Sequence, residues 1–277
     1  QPDQLEPVTV IIFRKQKDFN PFKPKYTDDP YNLIAVFLRS QGRNTIGMAA
    51  DSDDEVMGRT IFNSATSWYL SATNTPRPDW MNVGLAEVFS TFHVEGSQAV
   101  FGGDNYTRYS TLEYKGFLYT RNVMAISRNV VAGTTGTQAA AFHAQAWIMM
   151  NYLLIDGDIN GLENLNRYVD KLNNGVYQDV AFQEVYRMTY GEFDERIDDY
   201  YERQWFGTMK APVVSEREIV YKNETDATED DIDSAFAFFL LQQGKHEQAL
   251  PYVQRILDRS PDDPRAYEAM AEIAAQK

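Results

Sequence analysis

The side chains best suited to metal or acid–base chemistry are few and widely spaced. The chain has three histidines and no cysteine, which excludes disulfides, thiolate metal ligands and thiol nucleophiles. His93 stands two residues before Glu95, and no two histidines form an H-x-x-x-H pair. A metal site built from His93, His143, Glu87 and Glu95 would require the fold to bring these side chains together. It would also require hydrogen-bond partners that orient them. The alternative is that His143 is a partly buried helix residue and His93 a loop residue.

A second candidate site is the acidic run from Asp156 to Gly161, which reads D-G-D-I-N-G. It matches positions one, three, five and six of a calcium-binding loop. Position twelve normally supplies a bidentate carboxylate, and here it is Arg167. A turn of Asp, Asn and Gly between two helices explains the same residues, so both interpretations stay open.

Composition limits the classes of function. The 277 residues include 26 Lys and Arg against 40 Asp and Glu, a net charge of -14, which disfavours nucleic-acid binding. No apolar run approaches the roughly 20 residues that span a bilayer. The longest candidate, residues 139–155, is interrupted by His143, Gln145 and Asn151. The length predicts one large domain and a smaller one.

Hydrophobic periodicity predicts the elements that would position these residues. Strands are expected at 7–13, at 33–38 and 44–50 as a hairpin, at 96–103 and at 206–214. Helices are expected at about 54–71, 79–92, 138–154, 162–172, 180–190 and 193–204, with a short one within 117–127. Residues 215–231 are polar and acidic without periodicity, which is typical of a linker.

The C-terminal segment carries the signature of a tetratricopeptide repeat. Small and apolar residues stand at the required spacing, namely Ala237, Leu240, Gly244, Ala249, Ile256 and Pro261. A third helix is expected from Asp263-Pro264 to about Lys277. Because roughly three repeats are needed for independent stability, this segment is expected to pack on the main domain, on a partner or on residues beyond it.

Three phrases in chain order resemble the bacterial peptidase MA-like group of gluzincin metalloproteases. They are residues 60–67 (TIFNSATS), 78–90 (PDWMNVGLAEVFS) and 142–154 (FHAQAWIMMNYLL). Members of that group carry an H-E-x-x-H helix that holds zinc, and a following helix, with the phrase E-G-L-A-E, that supplies a third ligand. Many also carry C-terminal tetratricopeptide repeats. The resemblance implies the same ancestry for this chain.

Laid on that pattern, the metal positions are degenerate. Asn63 and Ser67 replace the two histidines, Ser64 replaces the catalytic glutamate and Val83 replaces the third ligand. Val has no donor atom, Ser and Asn are weak neutral ligands for zinc, and Ser64 has no carboxylate to accept a proton. Glu87 matches the outer glutamate of the family phrase.

These observations predict an α+β fold. A zincin-like domain at 1–214, with a small N-terminal mixed sheet packed on helices and then a helical subdomain, is followed by an acidic linker at 215–230. A tetratricopeptide-like segment occupies 231–277. The expected function is that of a catalytically inactive, metalloprotease-like protein that binds or scaffolds other proteins, with no catalytic residue, metal or cofactor.

The expected partner is a protein, held by the repeat and by the vestigial cleft, which Glu87, His143 and His93 would line. A membrane-associated assembly is one setting for such a module. The alternative function is a hydrolase with a relocated metal site at His93, His143 and Glu87. The resemblance also implies a bacterial protein in the periplasm, secreted or at the cell surface.

Overall fold

A computed structural model describes residues 7–24, 33–40, 42–73, 75–126, 136–156, 160–213 and 225–275. The strands are β1 Val8–Phe13, β2 Ala35–Ser40, β3 Arg43–Ala49, β4 His93–Glu95, β5 Gln98–Phe101 and β6 Met209–Pro212. The helices are α1 Gln16–Phe19, α2 Asp54–Ala72, α3 Asp79–Phe89, α4 Tyr106–Lys115, α5 Thr120–Ala125, α6 Gly136–Ile155, α7 Gly161–Asn173, α8 Gln178–Tyr186, α9 Tyr190–Glu202, α10 Glu229–Leu241, α11 His246–Arg259 and α12 Pro264–Ala275. A 3-10 turn, Asn20–Phe22, follows α1.

The chain forms two compact units. Of the described residues, the first unit contains those within 7–24, 33–52 and 225–275, and the second contains those within 53–213. The predicted mixture of helices and small sheets is therefore confirmed, with a helical segment at the C-terminus. The zincin-like character rests on the resemblance and the division at 214 and 230 on composition, and both stay predictions.

The sheet of the first unit is mixed, in the order β1-β3-β2. β1 runs parallel to β3, with Val8 opposite Asn44, and β2 pairs antiparallel with β3, with Ser40 opposite Arg43. The second pairing is the predicted hairpin. Gly42 in its turn has φ +75, a left-handed conformation that glycine adopts without strain.

The core of the first unit joins this sheet to the C-terminal helices. Phe239 of α10 is fully buried, and its ring lies so close to Gly47 of β3 that a Cβ there would come within 2.5 Å of it. Phe13 stacks on Phe19 at 5.1 Å and on Phe236 of α10 at 5.6 Å between ring centroids. The repeat was expected to need a support, and the N-terminal strands provide it. The aromatic rings between them bury the apolar face that a single repeat leaves open.

The repeat helices follow the predicted pattern. Ala237 of α10 and Ala249 of α11 are fully buried, which lets the two helices pack closely, and Gly244 turns the chain between them with φ +70. α10 begins at Glu229, earlier than predicted, because Thr228 and Asp231 form a reciprocal capping box. Residues 215–224 of the predicted linker lie outside the described residues.

The second unit is built around α6, whose residues from Ala144 to Leu154 are buried without interruption. α3 packs closely along it at Gly84, where a Cβ would come within 2.5 Å of the backbone oxygen of Ala146. The strand and turn predicted within 96–103 are confirmed as β5 and the turn before it, where Gly96 has φ +60, and β5 pairs antiparallel with β4, which was not predicted. β6, predicted as a closing strand, pairs antiparallel with β5.

Candidate functional site

Helix α2, which carries three of the positions that the resemblance implies are degenerate, starts at a well-defined cap. The Asp53 carboxylate accepts a hydrogen bond from the backbone N–H of Val56 at 2.9 Å. Asp54 and Glu55 in the first turn interact favourably with the positive end of the helix dipole. Asn63 and Ser67 stand one turn apart and are half-buried, and Ser64 is buried. The helix therefore places the side chains of Asn63 and Ser67 on one side, as two metal ligands would require, and both side chains are neutral.

The fourth position lies on the next helix. Val83 precedes Gly84 on α3 and packs, half-buried, against the core of the second unit. A valine in an apolar contact offers no donor atom to a metal.

Glu87, one turn further along α3, is held by side chains from two other helices. Its side chain is buried, and the residue is 2% exposed. Arg108 of α4 donates to both carboxylate oxygens, from Nε to Oε2 at 2.8 Å and from Nη2 to Oε1 at 2.8 Å. Nδ1 of His143 on α6 lies 2.8 Å from Oε1. Both oxygens of Glu87 are therefore occupied by protein donors.

The electrostatics of Glu87 keep it ionised. Burial by itself would raise the pKa of Glu87, and the charge of Arg108 together with the hydrogen bond from His143 outweighs burial and holds this pKa at about 2. An ionised carboxylate can only accept hydrogen bonds, so this contact assigns a proton to Nδ1 of His143. In neutral imidazole the other ring nitrogen, Nε2, is then an acceptor, and a carboxylate orients a histidine base or metal ligand in the same way.

The structure brings together two of the predicted cleft residues and separates the third. Glu87 and His143 are in direct contact, as described. His93 instead lies on β4 with its Nε2 3.2 Å from Glu95 and its Nδ1 3.2 Å from the Thr91 carbonyl. Across the described ranges, no group of three or more His, Cys, Asp or Glu side chains is placed to hold a metal. The relocated metal site at His93, His143 and Glu87 is therefore not assembled by these residues.

Arg108 was missed by the sequence interpretation, which did not resolve residues 105–136. Asn105 caps α4 by accepting from the backbone N–H of Arg108 at 3.4 Å. Asn is one of the residue types favoured at helix N-caps, and Asn105 is the local signal for that helix start. The ion pair itself joins residues 21 apart in the chain, and no local pattern indicates it.

The candidate calcium loop can be described only at its ends. Residues 157–159 lie outside the described part of the chain, and Asp156 has Arg203 at 3.9 Å. Calcium binding at Asp156–Gly161 stays a prediction.

A separate candidate surface belongs to the repeat, whose three helices are joined by ion pairs. Asp233 of α10 accepts hydrogen bonds from two arginines of α11. Nη2 of Arg255 lies 2.6 Å from its Oδ1, and Nη2 of Arg259 lies 2.5 Å from its Oδ2. Asp231 of α10 binds Arg265 of α12 at 2.6 Å. These pairs link α10 to both α11 and α12.

One side of α12 is left open within this unit. Ala266, Ala269 and Ile273 are buried, whereas Tyr267 is 57% exposed and Met270 is also exposed. The exposed pair has the i, i+3 spacing of one helix face. Sequence reasoning predicted α12 but did not single out these two residues.

Comparison with known proteins supports the repeat. Residues 232–273 match the family model described as the tetratricopeptide repeat, which covers nearly all of α10, α11 and α12. No curated protein and no solved structure matches the chain. Among the described helices none is long and apolar enough to cross a membrane. The repeat suggests protein–protein interaction or scaffolding, and the resemblance to the peptidase group stays a prediction.

Proposed function

We propose that this chain is a protein-binding scaffold on a metalloprotease-like framework without metal chemistry. The observation that carries the proposal is the tetratricopeptide repeat at residues 232–273, packed on the N-terminal sheet through Phe239 and Gly47. Repeats of this class present extended surfaces to other proteins. The support from the sheet gives a single repeat the buried area that it needs for a stable surface.

The partner we propose is an amphipathic helix of another protein, bound to the exposed side of α12. In a repeat array, each helix packs against its neighbours, and the open face of the last described helix is the place where another helix would lie. Tyr267 and Met270 supply an aromatic and a flexible apolar side chain there. These are side-chain types that are enriched at protein interfaces.

The absence of metal chemistry is supported by the donor set. Asn63, Ser64, Ser67 and Val83 provide neutral or apolar groups, which do not fit zinc. Glu87 is saturated by Arg108 and His143. In this proposal the surface of α2 and α3 is a vestigial cleft that provides a second contact for the partner.

Affinity capture from cells that express the full chain tests the binding surface. Wild type, Tyr267→Ala/Met270→Ala and Tyr177→Ala are compared by mass spectrometry, because Tyr177 is an exposed tyrosine of the second unit at 82%. We expect one set of proteins to be captured by wild type and Tyr177→Ala and lost from the double variant. Equal capture by all three proteins would contradict the proposed surface. A Ser67→Trp variant that reduces capture would indicate that the cleft takes part.

The contact between Glu87 and His143 favours one alternative, a hydrolase with a relocated metal site. That function requires further ligands around His143, since His93 is engaged with Glu95. Elemental analysis of purified protein decides between the two. We expect no stoichiometric zinc, and one tightly bound zinc per chain that is lost in His143→Ala together with peptidase activity would establish the alternative.

We further propose that the protein is exported to the bacterial periplasm or the cell surface. The support is the family resemblance alone. Fractionation of cells followed by immunoblotting tests it, and recovery of the chain solely from the cytoplasm would refute it.

A further inference from the structure

A cavity of about 230 Å³ opens in the second unit between α6, α9 and the segment that leads into α5. Phe117 and Tyr119 line it from that segment, Gln145 from α6, and Asp194 and Asp198 from α9. Pockets for drug-sized ligands measure roughly 300–1,000 Å³, so this one suits a single side chain or a small cation. Neither the repeat nor the degenerate metal positions belong to it.

The two aspartates stand one helical turn apart and face the same cavity. Asp194 accepts from the backbone N–H of Thr120 at 2.8 Å through Oδ1. Within the described residues, neither aspartate pairs with a lysine or arginine. Burial, with the carboxylates of Asp194, Glu202 and Asp199, raises the pKa of Asp198. Like charges at this spacing destabilise a helix, and a bound cation would offset that repulsion.

Gln145 adds a buried donor to the cavity. The residue is 1% exposed, and its Oε1 accepts from the backbone N–H of Leu118 at 3.2 Å. Its Nε2 donates to none of the residues that the structure describes. Gln145 lines the cavity, so a ligand that presents a carbonyl oxygen to this N–H gains a hydrogen bond.

We infer that this cavity binds the guanidinium group of an arginine side chain carried by a partner polypeptide. A planar guanidinium group donates to two carboxylates at once and stacks on aromatic rings, here Phe117 and Tyr119. The peptide carbonyl beside such an arginine would satisfy Gln145. Because the cavity lies in the second unit, this site is independent of the proposed helix-binding surface of α12.

Calorimetric titration of the full chain with the peptide Ac-Gly-Arg-Gly-NH2 tests the inference. The comparison peptides replace arginine by citrulline, which has the same shape without charge, or by lysine. The matched variants are Asp198→Asn, in the cavity, and Asp199→Asn, which removes the same charge from the same helix outside the cavity lining. Agmatine serves as a free guanidinium compound without a peptide carbonyl.

We expect the arginine peptide to bind wild type and Asp199→Asn alike, and Asp198→Asn to bind at least about tenfold more weakly. The thermal unfolding midpoint of Asp198→Asn should equal or exceed that of wild type. This result would show that the variant loses binding and not folding. Binding of the peptide more tightly than agmatine identifies a polypeptide as the source of the guanidinium. Absence of saturable binding by wild type, or equal binding of the citrulline or lysine peptide, would overturn the inference. So would equal weakening in Asp199→Asn.

Discussion

Glu87 of α3 and Arg108 of α4 form a two-point ion pair, with both nitrogen–oxygen distances at 2.8 Å and the carboxylate buried. Because His143 donates to the same carboxylate, all three side chains stabilise the packing of α3, α4 and α6 rather than leaving an acidic group free. A glutamate held in this way is a structural anion, because its charge is balanced by Arg108 and its oxygens accept from two neighbouring helices.

Replacing the arginine should be costly. Arg108→Leu would leave a buried, uncompensated carboxylate, and we expect the free energy of unfolding to fall by about 3 kcal/mol. The double variant Glu87→Met/Arg108→Leu should regain most of that loss, since no charge is then left buried. Urea unfolding followed by circular dichroism measures both values. An Arg108→Leu protein as stable as wild type would show that the pair contributes little.

The same pair predicts a dependence of stability on pH. The pKa of Glu87 is about 2 in the folded protein against an ordinary value of 4.5. Since the folded value is the lower one, its stabilisation is present above pH 4.5 and is lost as the pH falls from 4.5 toward 2. Wild type should therefore lose stability relative to Glu87→Gln in this window, because other titrating groups are common to both proteins. Unfolding measured at about pH 6, 4.5 and 3 checks this, and a constant difference would contradict the assignment.

Phe239 should couple the repeat to the N-terminal strands. Phe239→Ala would empty the space beside Gly47, and we expect the free energy of unfolding to fall by about 3–5 kcal/mol. Hydrogen exchange should accelerate together in β3 and in α11, because both contribute to one core. Tyr267→Ala, at an exposed position of α12, serves as the control. Faster exchange in the helices alone would indicate that the repeat folds independently of the sheet.

Two glycines on neighbouring helices should respond to alanine in opposite ways. Gly84→Ala would force a methyl group onto the backbone oxygen of Ala146, which cannot move aside, so a loss of about 1–3 kcal/mol is expected. Gly58→Ala on α2 meets nothing within 4 Å and should gain up to about 1 kcal/mol from helix propensity. Thermal unfolding of the two variants measures this contrast. Equal effects would mean that α3 does not approach α6 as described.

Local signals accounted for most of the helices. The acidic run around Asp53 marks the start of α2, and Gly175, with φ +80, follows the end of α7 where the sequence places a stop. The alanine and glycine spacing of the repeat likewise predicts α10 and α11. Capping and periodicity are properties of neighbouring residues, so a single sequence contains them.

Contacts between distant residues escaped prediction. The closeness of Gly47 and Phe239 and the pairing of Glu87 with Arg108 depend on how elements pack, and nothing in either local pattern indicates the partner. The cavity beside Asp198 is a case of the same kind, since it is lined by residues of α6 and α9 that no local pattern brings together. The interpretation of Asn63, Ser64, Ser67 and Val83 as former metal positions comes from the resemblance and stays a prediction.

Site-specific photo-crosslinking tests the central claim, that this chain binds a protein helix through the repeat, most directly. A benzophenone amino acid replaces Tyr267 in one protein and Tyr177 in another, and crosslinked peptides are identified by mass spectrometry in intact cells. We predict crosslinks from position 267 to an amphipathic helical segment of one partner, and none to that segment from position 177. Crosslinks from position 267 to unrelated proteins only, or the same products from both positions, would contradict it.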